Sequence, residues 1–175
     1  HPKIINREQR RTPDDDWKDV FLLAGCRFFV GCTSGPADVV NAFGVPSIKV
    51  NTLQLGNQAA YNHDLFIPKL FHSRELGRLL TMAEILEHAD TACGFQTSQL
   101  DALGLDAIDN TPEEIEAVVC EMIERLDGIA TAPATREEAA QQRLREFRQI
   151  DAAIGRGPIM AGKSRMGRDF LQRHG

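Results

Sequence analysis

Short apolar runs that alternate with amphipathic helical stretches predict an α/β fold, a parallel sheet covered by helices on both faces. Two observations carry that expectation. "RFFVG" and "PSIKV" each read as a brief buried strand bounded by Gly or Pro, and the residues between them suffice only for a tight helical crossover. Downstream, two capping boxes, Thr81 with Glu84 and Thr111 with Glu114, open helices. With 175 residues, 42% of them hydrophobic, the chain can bury one sizeable core, so a single domain is expected.

Thr12, Pro13, Asp14 and Asp15 supply a cap, a first-turn proline and acids, and Trp17, Val20, Phe21 and Ala24 recur at helical spacing, so a helix is expected from about residue 13 to 25. Between the two strands, Val39, Val40 and Phe43 can share one helix face. Thr52 to Ser73 shows no clean period and reads as a long loop able to close over something. A short helix follows through Ile85 and Leu86. The helix after Thr111 carries an apolar stripe of Ile115, Val118, Val119, Met122, Ile123 and Leu126, with Glu113, Glu114 and Glu116 read as its solvated face. Thr135 and Glu138 open another helix, running through Leu144, Phe147 and Ile150. The chain closes in a short basic helix whose Met166, Phe170 and Leu171 can dock on a neighbouring surface.

The net charge of −5 gives no electrostatic footprint for a polyanion, so nucleic acid is not expected as a partner. No stretch approaches the roughly 20 apolar residues of a membrane-spanning helix, and no signal segment opens the chain. A soluble, cytoplasmic protein is expected. Cys26, Cys32, Cys93 and Cys120 form no C-x-x-C pair and lack companion histidines, which reads as buried reduced thiols and no metal. The polar opening at His1, without an initiator Met, suggests a fragment of a longer protein.

The stretch "GCTSGPAD" stands where a parallel strand would feed the next helix. There the free N–H groups and the positive end of the helix dipole favour an anion. Thr33 and Ser34 add hydroxyls, Gly35 permits close approach, and Pro36 suits the first helical turn. Ser34 serves equally as an ordinary N-cap. The usual glycine-rich dinucleotide and P-loop fingerprints are absent.

In its longer context, "LLAGCRFFVGCTSGPADVVNAFGVPSIKVN" resembles the donor-binding, C-terminal domain of GT-B glycosyltransferases, as in heptosyltransferases. "DLFIPKLF", "GRLLTMAEIL", "IDNTPEEIEAVVCEMIERL" and "GRDFLQRHG" are more similar still to bacterial glycosyltransferases of surface-polysaccharide loci, from roughly Thr12 to His174. The resemblance implies a Rossmann-like domain over residues 1–155 and a C-terminal crossing helix over 156–175, with an N-terminal acceptor domain lying upstream. It implies transfer of a sugar from a nucleotide-diphosphate donor to a glycan acceptor, without cofactor or metal, and is compatible with peripheral membrane association. Ser34, Gly35 and Pro36 would contact the donor's phosphates, and Asn51 and Gln54 would lie near the base or sugar. Thr33 stands where the heptosyltransferase pattern has Asp, and Asp38 where it usually has His; both are donor-binding candidates that depart from the pattern. A sugar-nucleotide epimerase of the same architecture and a non-catalytic binding module are the alternatives.

Other candidates are less specific. His63 and Asp64 pair an imidazole with a carboxylate and are candidate acid–base residues, or a solvated loop. Lys69 and Arg74, with Arg78, offer cations for a diphosphate, or are ordinary surface charges. Asp14 to Asp16 read as a helix start or a divalent-metal cluster.

Overall fold

The computed structural model describes residues 15–53, 61, 63–87, 97–129, 138–139, 141–146 and 164–174. They form a mixed α/β fold around a four-stranded parallel sheet flanked by helices. In chain order the elements are α1 (Asp16–Gly25), β1 (Phe29–Gly31), α2 (Gly35–Ala42), β2 (Ser47–Thr52) and β3 (Leu65–Pro68). There follow β4 (Leu70–Ser73), β5 (Arg78–Leu79), α3 (Met82–Glu87), α4 (Thr97–Ala102), β6 (Leu105–Ile108) and α5 (Pro112–Leu126). The last elements are β7 (Arg165–Met166) and α6 (Arg168–His174), and residues 141–146 are also helical.

The parallel sheet has the order β1-β2-β3-β7. A second sheet, β5-β4-β6, is antiparallel, and neither "LFHS" nor "LDAI" is anticipated as a strand. The expected loop from Thr52 to Ser73 instead contains β3 and β4. β3 is buried at every residue. A strand covered on both faces shows no alternation, and this one is also cut short by Pro68, so its sequence carries no period to detect. Residues 54–60 and 62 of that stretch lie outside the described residues.

Alternation along β2 separates Ile48 and Val50 from Ser47 and Lys49. Ile48 and Val50 join Leu65, Ile67, Val118 and Met122 in the main core, which places α5 on that face. The opposite face belongs to α2. Ser47 bonds Asp64, Asp64 accepts from the Tyr61 amide, and the Tyr61 hydroxyl donates to the Asn41 carbonyl near the end of α2. Helices therefore cover both faces, as the sequence predicts.

Several faces differ from expectation. β1 is an edge strand, and its Val30 is 38% exposed rather than buried. α2 buries Ala37 and Val40 and ends at Ala42, which leaves Phe43 exposed. α1 forms over Asp16–Gly25 but buries no residue, so Trp17, Val20 and Phe21 face outward. Cys32 and Cys120 are exposed and Cys26 half-buried, all three as free thiols; Cys120 falls on the outer side of α5, and Cys93 lies outside the described residues.

α5 has the predicted capping box, with Thr111 and Glu114 bonded reciprocally. Its buried residues are Glu114, Val118, Glu121 and Met122, while Ile123 is exposed. The acids turn inward because α6 lies along α5. Glu121 Oε2 accepts from the first amide of α6, Arg168 N, at 2.6 Å, and Glu114 Oε1 lies 2.6 Å from His174 Nε2 near its end. Met166, Phe170 and Leu171 are buried in the main core, so the surface they dock on is in the same chain. Leu144 is buried as expected, whereas Thr135, Phe147 and Ile150 lie outside the described residues. Gln141 closes the edge strand β7, its amide giving a bond to the Met166 carbonyl at 2.6 Å and taking one from the Met166 amide at 3.2 Å. No described helix is long and apolar enough to cross a membrane.

The orientation of α5 can be checked by paired truncations. Met122→Ala should lower unfolding stability in urea by about 2–5 kcal/mol. Ile123→Ala, at a position 37% exposed, should cost no more than about 1 kcal/mol. Similar losses at the two positions would contradict this orientation.

Candidate functional site

The turn Cys32–Ser34 carries the chain from the carboxyl end of β1 into Gly35, the first residue of α2. Ser34 holds the N-cap position in extended conformation, φ −160° and ψ 166°, but its side chain caps nothing. Its hydroxyl donates instead to the Cys32 carbonyl at 3.2 Å. The Ala37 and Asp38 amides both donate to the Ser34 carbonyl, at 3.0 and 3.4 Å. Among the described residues, the amides of Thr33, Ser34 and Gly35 find no acceptor. Three successive uncommitted N–H groups at the positive end of a helix are suited to an anion.

Thr33, Gly35, Pro36 and Asp38 are exposed here and Ser34 is half-buried, so the turn is open to solvent. A Cβ added to Gly35 would meet nothing within 4 Å. The fold does not itself require glycine at this point. Asp38, in the first turn of α2, puts a carboxylate on the same helix end and partly answers the dipole.

The carboxyl ends of β2 and β3 form the neighbouring part of this edge. Asn51 has φ 54°, the left-handed region, which costs a residue with a side chain on the order of 1 kcal/mol. A reciprocal pair holds it. The Asn51 amide donates to Asn110 Oδ1 and the Asn110 amide to Asn51 Oδ1, each at 2.6 Å. Asn110 Nδ2 also donates to the Pro68 carbonyl at 2.7 Å. The Asn51 side chain is thereby committed to the fold, and Asn110, which reading the sequence does not single out, is what positions it. Gln54 lies outside the described residues.

The other candidates are scattered. Asp64 is fully buried at the amino end of β3, accepting from the Ser47 amide at 2.8 Å, the Ser47 hydroxyl at 3.2 Å and the Tyr61 amide at 3.0 Å. His63 Nε2 is 3.7 Å from Asp64 Oδ1, with the ring stacked on Tyr61. This pair is at the amino edge of the sheet, and the turn at Ser34 is at the carboxyl edge. The structure does not bring them together.

The cations are already matched to acids. Lys69, just beyond β3 on the carboxyl edge, pairs with Asp109. Arg74 binds Asp101 at 3.0 Å and Asp106 at 2.7 Å beside the antiparallel sheet, and Asp106 in turn titrates below its ordinary range because of the Arg74 hydrogen bond. Arg78 grips both oxygens of Glu84, at 2.9 and 2.6 Å. That hydrogen bonding, with the Thr81 amide, holds the Glu84 carboxyl down at about 2. Of the acidic run at the start of α1, Asp15 is buried and pairs with Lys18, and Asp14 lies outside the described residues. No group of three or more His, Cys, Asp or Glu able to hold a metal occurs among the described residues.

Lys49 carries no motif that singles it out, yet it is 4% exposed on β2 and pairs in register with Gly31, the residue that ends β1. The register of the sheet sets it level with the residue that precedes the turn.

No family model, no curated protein and no solved structure matches the chain.

Asn110→Ala would orphan the Asn51 amide and the Pro68 carbonyl, an expected loss of about 2–4 kcal/mol in denaturant unfolding. Glu84 has a folded pKa below its free value of 4.5, so its contribution is complete above that pH and is lost as pH falls toward about 2. Glu84→Gln should therefore melt below wild type at pH 7, with the gap closing by pH ~2. A gap that is constant across this range would exclude the ion pair as its source.

Proposed function

We propose that the chain is the donor-binding half of a glycosyltransferase, seating the diphosphate of a nucleotide sugar on the Cys32–Gly35 turn. The observation that carries this reading is the run of uncommitted amides at Thr33, Ser34 and Gly35, at the carboxyl edge of a parallel sheet. The resemblance of the surrounding sequence to GT-B donor domains supports the same assignment. The parallel sheet with helices on both faces is compatible with it.

In the proposed reaction an acceptor hydroxyl of a glycan attacks the anomeric carbon of the sugar. The bond from that carbon to the diphosphate oxygen breaks, and the nucleoside diphosphate leaves with the electron pair. Amides aimed at the phosphate oxygens stabilise the charge that develops there, which is how such a turn would contribute to rate. The acceptor's proton passes to a base that this proposal places outside the described residues.

The test is calorimetric titration of the chain with a panel of nucleotide-diphosphate sugars, using Ser34→Ala and Gly35→Leu as controls. Gly35→Leu has free space in the fold, so it should keep its melting temperature while weakening donor binding by roughly tenfold or more. Undiminished binding in both variants would remove the turn from the donor site.

A further inference from the structure

Lys49 is one of the charged residues that the fold buries, together with Asp15, Asp64, Glu114 and Glu121. Each of those acids has a protein partner. Lys49 has none among the described residues, neither a carboxylate nor a carbonyl. Its stem is buried, but its Nζ is not among the described buried atoms that lack a hydrogen bond, so the ammonium, held by no acid of the fold, reaches solvent, where a counter-charge can meet it.

The surroundings of Lys49 indicate where that counter-charge would sit. It shares the α2 face of the sheet with Ser47, opposite the core residues Ile48 and Val50. α2 descends from Gly35 at the carboxyl edge, and the carbonyl of Asn41, close to its last residue, is tied through Tyr61 to Asp64 and so to the Ser47 end of β2. Lys49 is two residues further up the strand, roughly 6–7 Å, beneath the opening turns of that helix. In register it stands between Gly31 and Phe66. A Cβ on Gly31 would come within 2.7 Å of the Phe29 ring, so that ring lies over Gly31 and walls one side of the lysine.

We propose that Lys49 is a ligand residue of the turn, its ammonium donating to phosphate oxygens of a diphosphate held by the Thr33–Gly35 amides. The inference rests on the reading of that turn as an anion site and adds the cation which that site needs. Asp38 places a negative charge on the same helix end, Lys69 on the carboxyl edge is paired with Asp109, and Arg74 is held by two acids beside the other sheet. Lys49 supplies an uncommitted positive charge on the α2 side of β2, level with the start of the turn.

Inorganic pyrophosphate is the probe, titrated calorimetrically into the full chain and into Lys49→Met, with melting temperatures recorded with and without it. Met keeps the length of the buried stem and drops the charge. Without pyrophosphate, Lys49→Met should melt close to the wild-type temperature, since the ammonium has no protein partner to lose, and its affinity for the probe should fall roughly tenfold to a hundredfold. At one pyrophosphate concentration the melting temperature should rise more for wild type than for the variant. Equal affinity in wild type and Lys49→Met, with Gly35→Leu still impaired, overturns the role of Lys49 and leaves the turn as the anion site. Binding of pyrophosphate by neither wild type nor variant overturns both readings together. A variant that melts lower yet binds as well as wild type shows Lys49 to be a packing residue, and also overturns the inference.

Discussion

The pairing of β2 with β3 is the constraint on which the carboxyl edge depends. The register runs Ile48↔Leu65 and Lys49↔Phe66, then Thr52↔Pro68, so three steps on β2 match two on β3. β2 absorbs the extra residue as a bulge, and the positive φ of Asn51 is its local expression. Pro68, without an N–H, ends the ladder, and its carbonyl passes to Asn110. At the other end Asp64 fixes the start of β2 through Ser47, and its carbonyl accepts from Arg165 at the start of β7. One strand pair thus sets the level of the turn after β1 and the approach of Asn110 to β2.

The charges are arranged so that exposed cations are answered locally. Arg74 is held by two acids and Arg78 by both oxygens of one. Exposed pairs of this kind contribute only about 0–1 kcal/mol each. Their effect is to leave little free positive charge on an acidic chain. Lys69 differs in position, since it stands on the carboxyl edge and its partner Asp109 is well exposed. Exchanging that carboxylate for a phosphate would cost little, whereas Arg74 would have to leave two acids and the other sheet.

The sequence was informative where local chemistry decided the structure. Capping boxes at Thr81 and Thr111 and the β1–α2–β2 crossover needed only neighbouring residues, and they are found where their spacing places them. It was silent where burial comes from distant partners. "LFIP" becomes the third strand because β2 and β7 flank it, and nothing within the run reports that. Glu114 and Glu121 turn inward only because α6 returns to meet them, so a helical period alone put the buried stripe of α5 too far toward Ile123. At the candidate site the turn was legible as a motif, since its chemistry is contiguous. Lys49 and Asn110 were not, because each reaches the edge through strand register or a contact across the fold.

The two faces of the parallel sheet follow different rules, and the difference bears on where a ligand would act. On the α5 side the apolar cluster is continuous, and the buried acids Glu114 and Glu121 have partners. On the α2 side the sheet presents Ser47 and Lys49 next to the buried ring of Phe66, with Asp64 beside them. Asn41 Oδ1 and His63 Nε2 are buried there without a hydrogen bond. A helix whose far side is so incompletely satisfied gives up stability that its neighbour across the sheet retains. Amides without acceptors stand at its start, and the Lys49 ammonium, with no acid partner among the described residues, belongs to the same side of the sheet. A polyanionic ligand of the proposed kind would draw its binding free energy from those groups rather than from the exchange of existing ion pairs.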